Sequence, residues 1–303
     1  RFLKNSAIKD FSINLYDGFY ITEQKHLEQK RSALKPLDIL FTTIGHLGST
    51  AIVPEAFGEA NINQNVVKIE VNESFIDPYY LTAYLNANTT KKQIGALFTG
   101  NIHSIITYPK IKNIRIIVPD KVFQKSISKK YKAALDFEQS FHITIKKAKE
   151  TFYQKIGINF SAIRKESSFS TSLQKIEKND IWNPSFFYPL YLKTLKAIQA
   201  NLQTISLGEI ANIKKGDEVG SNQYVKYLDK KESDVPFIRT SDIFNYEVDQ
   251  FPDFYISKEI YKDLKQDLKP GDIIFTKDGK IGMTAVITNN DKAILASGLV
   301  RIR

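Results

Sequence analysis

"LKPLDILFTTIGHLGSTAIV", Leu34 to Val53, reads as a strand, a glycine-bearing turn and a second strand. At Leu268 to Ile287 the chain repeats it as "LKPGDIIFTKDGKIGMTAVI", with 11 of 20 positions identical and no gap. The copy extends outward. "FLKNSAIKDFSINLYDGFYIT" (Phe2 to Thr22) aligns with "FIRTSDIFNYEVDQFPDFYIS" (Phe237 to Ser257) when one residue is inserted before Leu34, and "INQNVVKIE" sits where "LASGLVRIR" ends the second copy. Such a period is far too long for a solenoid of roughly 20 to 50 residues per unit, so whole modules are repeated. The fold class expected is α/β (α+β): two small sheet-plus-helix modules joined by a long helical, coiled-coil-type spacer.

Length agrees, since 303 residues at about 100 to 200 per domain point to two. A composition of 42% hydrophobic and 25% charged residues is that of a folded chain. With no cysteine, disulfides, thiolate metal sites and a cysteine nucleophile are excluded, and a reducing cytoplasm is permitted. No apolar run approaches the roughly 20 residues that cross a bilayer, and no signal peptide opens the chain, so a soluble, unexported protein is expected. Arg1 falls inside an apparent strand, and Arg303 stops the second copy before the region matching Ile76 to Pro119. The expectation is a portion of something longer, with both repeats cut.

The net charge of +10 points to polyanions, and its location is informative. Residues 121 to 178 carry 13 basic and 5 acidic groups, while both flanks are near balance. A basic run of this kind suits phosphate contact, and it equally suits an ordinary solvated helix face.

Along the first copy, "DILFTT", "STAIV", "NVVKIEV" and "NIRIIV" are short β-branched runs between Gly, Asn and Pro, which predicts four strands. "DPYYLTAYLNANTTKKQIGAL" predicts a helix packed on the sheet, with Asp77 as N-cap and Pro78 at the first helical position. After Pro119, Ile127, Tyr131, Ala134, Glu138, Phe141, Ile145, Ala148 and Phe152 recur at alternating spacings of four and three. That is a heptad seam interrupted by Glu138, a polar residue able to set register. A continuous helix from Asp120 to Ile156 would be about 55 Å long, ending at Gly157. "FSAIRKESSFSTSLQKIEKND" reads as a polar connector, followed by a shorter helix through Leu192, Leu195, Ile198 and Leu202. The expected domains are 1–119, the spacer helix 120–157, a connector with the second helical stretch 158–202, and the second module 203–303.

Catalytic motifs are weak. "DPYY" at Asp77 and "NPSF" at Asn183 lack the second proline of an adenine methyltransferase motif, helix-start chemistry explains both, and no strand leads into a Gly-x-Gly loop. Pro252, Asp253, Asp278 and Lys280 could be assembled into a metal-dependent nuclease. The first copy has Gly18, Ile44 and His46 in place of the last three, so bare surface side chains explain them better. His26, His46, His103 and His142 lack ligand spacing, and no metal is expected.

What remains are the two turns. "TTIGHLGS" and "TKDGKIGM" share their glycines, among them Gly45, but differ at Thr42, Thr43, His46 and Ser49 against Thr276, Lys277, Asp278 and Lys280. One scaffold with unlike donors and acceptors is what two readers of different base sequences need in a major groove; a hairpin tip drifting freely is the plainer account.

The duplicated "LKPxDIxFTxxGxxGxTA" pattern, "INQNVVKIE", the "DPYYLTAYLN" helix and "GNIHSIITYPKIKNIRIIVP" leading into a long helix together resemble the specificity subunit of a type I restriction-modification enzyme. The resemblance covers nearly all of the chain, least so from about Phe160 to Asn183. It implies two target recognition domains, each reading half of a split double-stranded DNA site, with helices between them that space the halves and dock DNA adenine methyltransferase subunits. It also implies a chain that cleaves and methylates nothing itself. S-adenosylmethionine and ATP would be used by the methyltransferase and the restriction nuclease and translocase partners, leaving this chain no cofactor. The residues expected to touch base or backbone are the turn residues above with Asn63, Gln64, Asn65, Asn101, His103, Ser104, Lys214, Lys215, Tyr224, Arg239 and Ser241. Three other readings stand beside it: the recognition half of a single-chain type II restriction and methylation enzyme, a free-standing methyltransferase, and an adaptor that binds only protein.

Overall fold

The computed structural model describes residues 1–14, 19–97, 105–157, 168–218, 235–289 and 292–303. It divides into two compact units, one made of Arg1–Glu138 with Asn212–Arg303 and the other of Gln139–Ala211.

The first copy runs β1 (Phe2–Leu3), α1 (Glu23–Glu28), β2 (Ile39–Thr42), β3 (Thr50–Ile52), β4 (Asn61–Ile62), β5 (Val66–Ile69), α2 (Pro78–Leu85), α3 (Asn88–Leu97) and α4 (Tyr108–Ile111). Strand β2 lies between antiparallel β3 and β5, and β1 pairs in parallel with β4. Alternation along β2 fills two cores, because both faces of a central strand are covered. Leu40 joins Leu3, Ile8, Ala51 and Val53 on one side, while Ile39 and Phe41 join Ile52, Leu81, Leu85 and Ile94 on the other.

Two sequence expectations need correction here. "NIRIIV" is not a strand. Its backbone is met by helix side chains instead of a ladder: Tyr80 Oη donates to Ile117 O at 2.9 Å, and Gln93 both accepts from Arg115 N and donates to Arg115 O. Asp77 does cap α2, accepting from Tyr79 N and Tyr80 N. The predicted single helix nevertheless breaks after Leu85, because the Asn86 amide turns to the edge of β3, donating to Thr50 O at 2.7 Å and accepting from Thr50 N. An Asn side chain used this way stands in for a missing neighbour strand.

Helix α5 (Lys121–Ile156) ends at Gly157, whose φ of +66° closes it. Only part of the predicted seam is buried. Tyr131 packs edge-on to Phe11 and Tyr79 and donates to Phe11 O at 2.9 Å, and Glu138 accepts from Ser12 at 2.6 Å. Glu138 is thus a tie to the first copy rather than a break in an apolar seam. Two polar residues outside the seam are buried instead, Gln124 and Ser128, which bond the backbone N–H and the carboxylate of Asp77. In the second half of α5, Phe141 and Ile145 are half-buried, whereas Ala148 and Phe152 are exposed. The second unit also holds α6 (Leu173–Asn179), inside the stretch read as connector, then α7 (Pro189–Asn201) and α8 (Leu207–Ile210). Leu202 lies just past α7 in extended backbone.

The second copy runs β6 (Ile213–Lys215), β7 (Val235–Ile238), β8 (Ile243–Phe244), β9 (Glu247–Val248), β10 (Tyr255–Ile256), α9 (Lys258–Leu264), β11 (Ile273–Thr276), β12 (Thr284–Val286), β13 (Ile294–Leu295) and β14 (Leu299–Ile302). Its registers reproduce the first. Ile39↔Ile69 and Thr42↔Val66 become Ile273↔Ile302 and Thr276↔Leu299, and the parallel pair Leu3↔Ile62 becomes Ile238↔Leu295. The Asp38 carboxylate that accepts from Lys35 N recurs as Asp272 with Lys269 N. One face differs: Ile39 and Ile52 are buried under α2 and α3, while their counterparts Ile273 and Val286 are exposed.

Candidate nucleic-acid interface

The two glycine turns fold alike, atom by atom. Thr42 Oγ1 donates to His46 O and accepts from Ser49 N at 3.0 Å; Thr276 Oγ1 donates to Lys280 O at 2.5 Å and accepts from Met283 N at 3.0 Å. Gly48 N and Gly282 N each close on the threonine carbonyl. Gly45 and Gly279 have φ of +79° and +67°, Gly48 and Gly282 of +72° and +93°, values that glycine adopts without the Cβ penalty.

Thr42 and Thr276, both in the expected contact set, are fully buried, and each hydroxyl donates and accepts inside its turn, which locks the scaffold. Thr43 and Ser49 are also buried; Thr43 uses its hydroxyl and its N–H on Asn65 O. That bond brings the Asn63–Asn65 turn to the same end of the sheet as His46, with Gln64 exposed. Ile105 and Ile106 join there too, through a bridge to Ile44 and a bond to Thr43 O. Asn101, His103, Ser104 and Tyr224 lie outside the described residues.

In the second copy, Lys277, Asp278, Gly279 and Lys280 stand at the corresponding sheet end, and Lys277 pairs with Asp278 at 2.9 Å. Strand β6 pairs with β14 so that Lys215 opposes Val300, next to Leu299, the partner of Thr276. Lys215 therefore reaches the same end, where it pairs with Glu218 at 3.0 Å; Lys214 is one step further along the strand and exposed. Exposed apolar Ile281 at this tip was not singled out from the sequence, although an apolar side chain can meet a thymine methyl.

Arg239 is half-buried and Ser241 exposed, and both make contacts within the fold. The Arg239 guanidinium stacks on Phe254 at 3.7 Å, as Lys4 does on Phe19 at 3.6 Å in the first copy. The Ser241 hydroxyl goes to Asp242, and its carbonyl accepts from Lys9 Nζ at 3.2 Å. Burial raises the Asp242 carboxyl above its usual range despite the Arg239 N–H and the nearby cations.

Asp253 is at the surface, as expected, but it is not bare. His46 Nδ1 lies 2.7 Å from its Oδ1 and Arg239 Nη2 3.4 Å from its Oδ2, so it ties the turn of one copy to the other. Burial alone would raise this carboxyl, but the hydrogen bond with His46 and the nearby Arg239 and Lys9 cations take it below the ordinary carboxylate value. No cluster of three or more His, Asp or Glu able to hold a metal ion occurs among the described residues, and no helix among them is long and apolar enough to cross a membrane.

No curated protein matches the chain. Among solved structures, the HsdS subunit from Thermoanaerobacter tengcongensis is similar at 17% identity and a TM-score of 0.36, covering 100% of this chain and 68% of that one. The type I restriction-modification S subunit from M. genitalium is similar at 16% identity and a TM-score of 0.32, covering 89% and 59%. A chain from a structure of type I R-M complex assembly gives 17%, 0.30, 89% and 60%. The chain thus spans between 59% and 68% of the length of these proteins. In sequence, residues 11–148 match the type I restriction modification DNA specificity domain. The turn, sheet and first half of the long helix described above thus fall within a stretch that is similar to a type I restriction modification DNA specificity domain.

Proposed function

We propose that this chain reads a bipartite double-stranded DNA site, one half with each copy, and carries the reading to methyltransferase and nuclease subunits that do the chemistry. The match of residues 11–148 to a DNA specificity domain supports sequence recognition; the division into two halves rests on the duplicated turn. The same backbone, locked by the same threonine, carries His46 with Asn63, Gln64 and Asn65 in one copy and Lys277, Asp278 and Lys280 with Lys214 and Lys215 in the other. Side chains of unlike donor and acceptor pattern on one scaffold suit two different base sequences. Lys121, Lys125, Lys129 and Lys130, exposed on α5, supply the sequence-independent attraction that phosphate gives. In this reading the chain binds no cofactor, and S-adenosylmethionine and ATP belong to its partners.

The test exchanges Lys277–Lys280 for the sequence of another family member in the full-length protein, assembled with methyltransferase subunits, and maps methylated sites. One half of the recognised sequence should change while the other stays. A change in both halves, or in neither, would refute the assignment.

A further inference from the structure

The two copies meet through equivalent pieces of chain. The tight turn between Ile8 and Ile13 recurs as the β8–β9 hairpin of Ile243 to Val248, and Phe11 and Tyr246, at matching places, share φ values of +68° and +67°. These turns pack on each other. Lys9 pairs with Asp249 at 3.3 Å, both almost fully buried, and its ammonium lies 5.4 Å from the ring of Phe244, which holds its own place in the other copy. Asn245 donates to Ile13 O at 3.2 Å, and Phe11 touches Phe251.

At its edge, His46 of one turn meets Asp253 of the other copy. The carboxylate accepts, so the ring proton sits on Nδ1, and Nε2, which takes no partner among the described residues, is the nitrogen left for a ligand. We infer that Asp253 is a positioning residue for base reading by the opposite copy: it fixes the orientation and tautomer of His46. An imidazole pinned at Nδ1 offers Nε2 as an acceptor when neutral, suited to the exocyclic amino group of cytosine or adenine in the major groove. Without the pin, either tautomer and several ring orientations are open, and discrimination falls. The inference rests on the proposed function, and adds that the halves are not read independently: a residue of the second copy sets what the first copy distinguishes.

The experiment selects sites from randomised duplexes with the full-length protein and its methyltransferase subunits, comparing Asp253→Asn, His46→Ala, the double variant and Asp253→Glu. The half-site read by each copy is identified beforehand with the Lys277–Lys280 exchange. Asp253→Asn should lower base discrimination about tenfold or more at one position of the first copy's half-site, which is a loss of roughly 1.4 kcal/mol. The effect should vanish in the His46→Ala background, and Asp253→Glu should restore part of it. Loss in the second half-site alone, or loss that persists without His46, overturns the inference and assigns Asp253 to holding Arg239. Unchanged selection by His46→Ala, with the exchange still altering one half, also overturns it but leaves the proposed function standing. If the exchange alters neither half, that function falls first.

Discussion

Replacing Lys9 with methionine isolates the energy of the seam between the copies. Lys9 and Asp249 have side chains 6% and 7% exposed, so neither charge is screened by water. Removing one member of a buried pair costs about 3 to 5 kcal/mol, because the other charge is left without compensation. Methionine keeps most of the stem's packing. Asp249 also retains the hydrogen bond from Phe251 N at 2.8 Å, which places the loss at the lower end, about 3 kcal/mol. The only tryptophan, Trp182, lies in the other compact unit, so its fluorescence is a poor reporter. Hydrogen exchange over residues 8–14 and 243–249 reads the opening directly, and 3 kcal/mol corresponds to roughly a hundredfold faster exchange, provided both segments open together. Adding Asp249→Asn should recover part of the protection, since the orphaned charge is then removed. Acceleration below about fivefold, or a double variant that is simply additive, would show that the pair carries no coupling and would refute the seam.

Gly48→Ala and Gly282→Ala place the same substitution at matching φ, yet a Cβ at Gly48 collides with Ile94 Cδ1 while one at Gly282 meets open space. Thermal or denaturant unfolding should show about 3 kcal/mol lost in the first and about 1 to 2 in the second; equal losses would contradict the placing of α3. Tyr131→Phe removes the bond to Phe11 O and should cost about 1 kcal/mol in the same assay. Asp272 is held below the usual carboxylate value by hydrogen bonds from Arg303. A depressed folded pKa gives stability that is present above the unfolded value near 4 and lost as pH falls through the folded one. Asp272→Asn should therefore destabilise at pH 7 and much less near pH 2, and a penalty unchanged with pH would contradict the pairing. Deleting the heptad Ser140–Lys146 shortens α5 by about 10 Å, or roughly three base pairs, without touching Tyr131 or Glu138. Methylation mapping should then find the gap between half-sites unaltered, because the seam joins the copies directly; a shorter gap would make the helix the spacer.

Much of this protein is local and repeated, and those features were readable in the residues. The duplication, the strand–turn–strand units, the Asp77 cap and the Gly157 stop follow from β-branched runs, turn glycines and capping chemistry, each decided within a few neighbouring positions. The differing tips of the two turns were legible for the same reason. Side-chain destinations were not. Thr42 and Thr276 were expected at a ligand, and their hydroxyls lock the turns, because a hydroxyl beside a left-handed turn finds a carbonyl of its own chain first.

"NIRIIV" has the composition of a strand but lies where Tyr80 and Gln93 satisfy its backbone, which no pattern within the segment reveals. Glu138 and Asp253 acquire their partners, Ser12 and His46, only when segments 126 and 207 residues away are packed beside them. The sequence by itself determined that one module occurs twice with different chemistry on matching turns. The tertiary structure alone decided that the copies are joined by a buried ion pair and a His–carboxylate bond. Periodicity and turn chemistry are short-range properties of a chain, whereas the desolvation that makes Lys9 and Asp249 depend on each other, like the meeting of His46 with Asp253, exists only after the two copies close on each other.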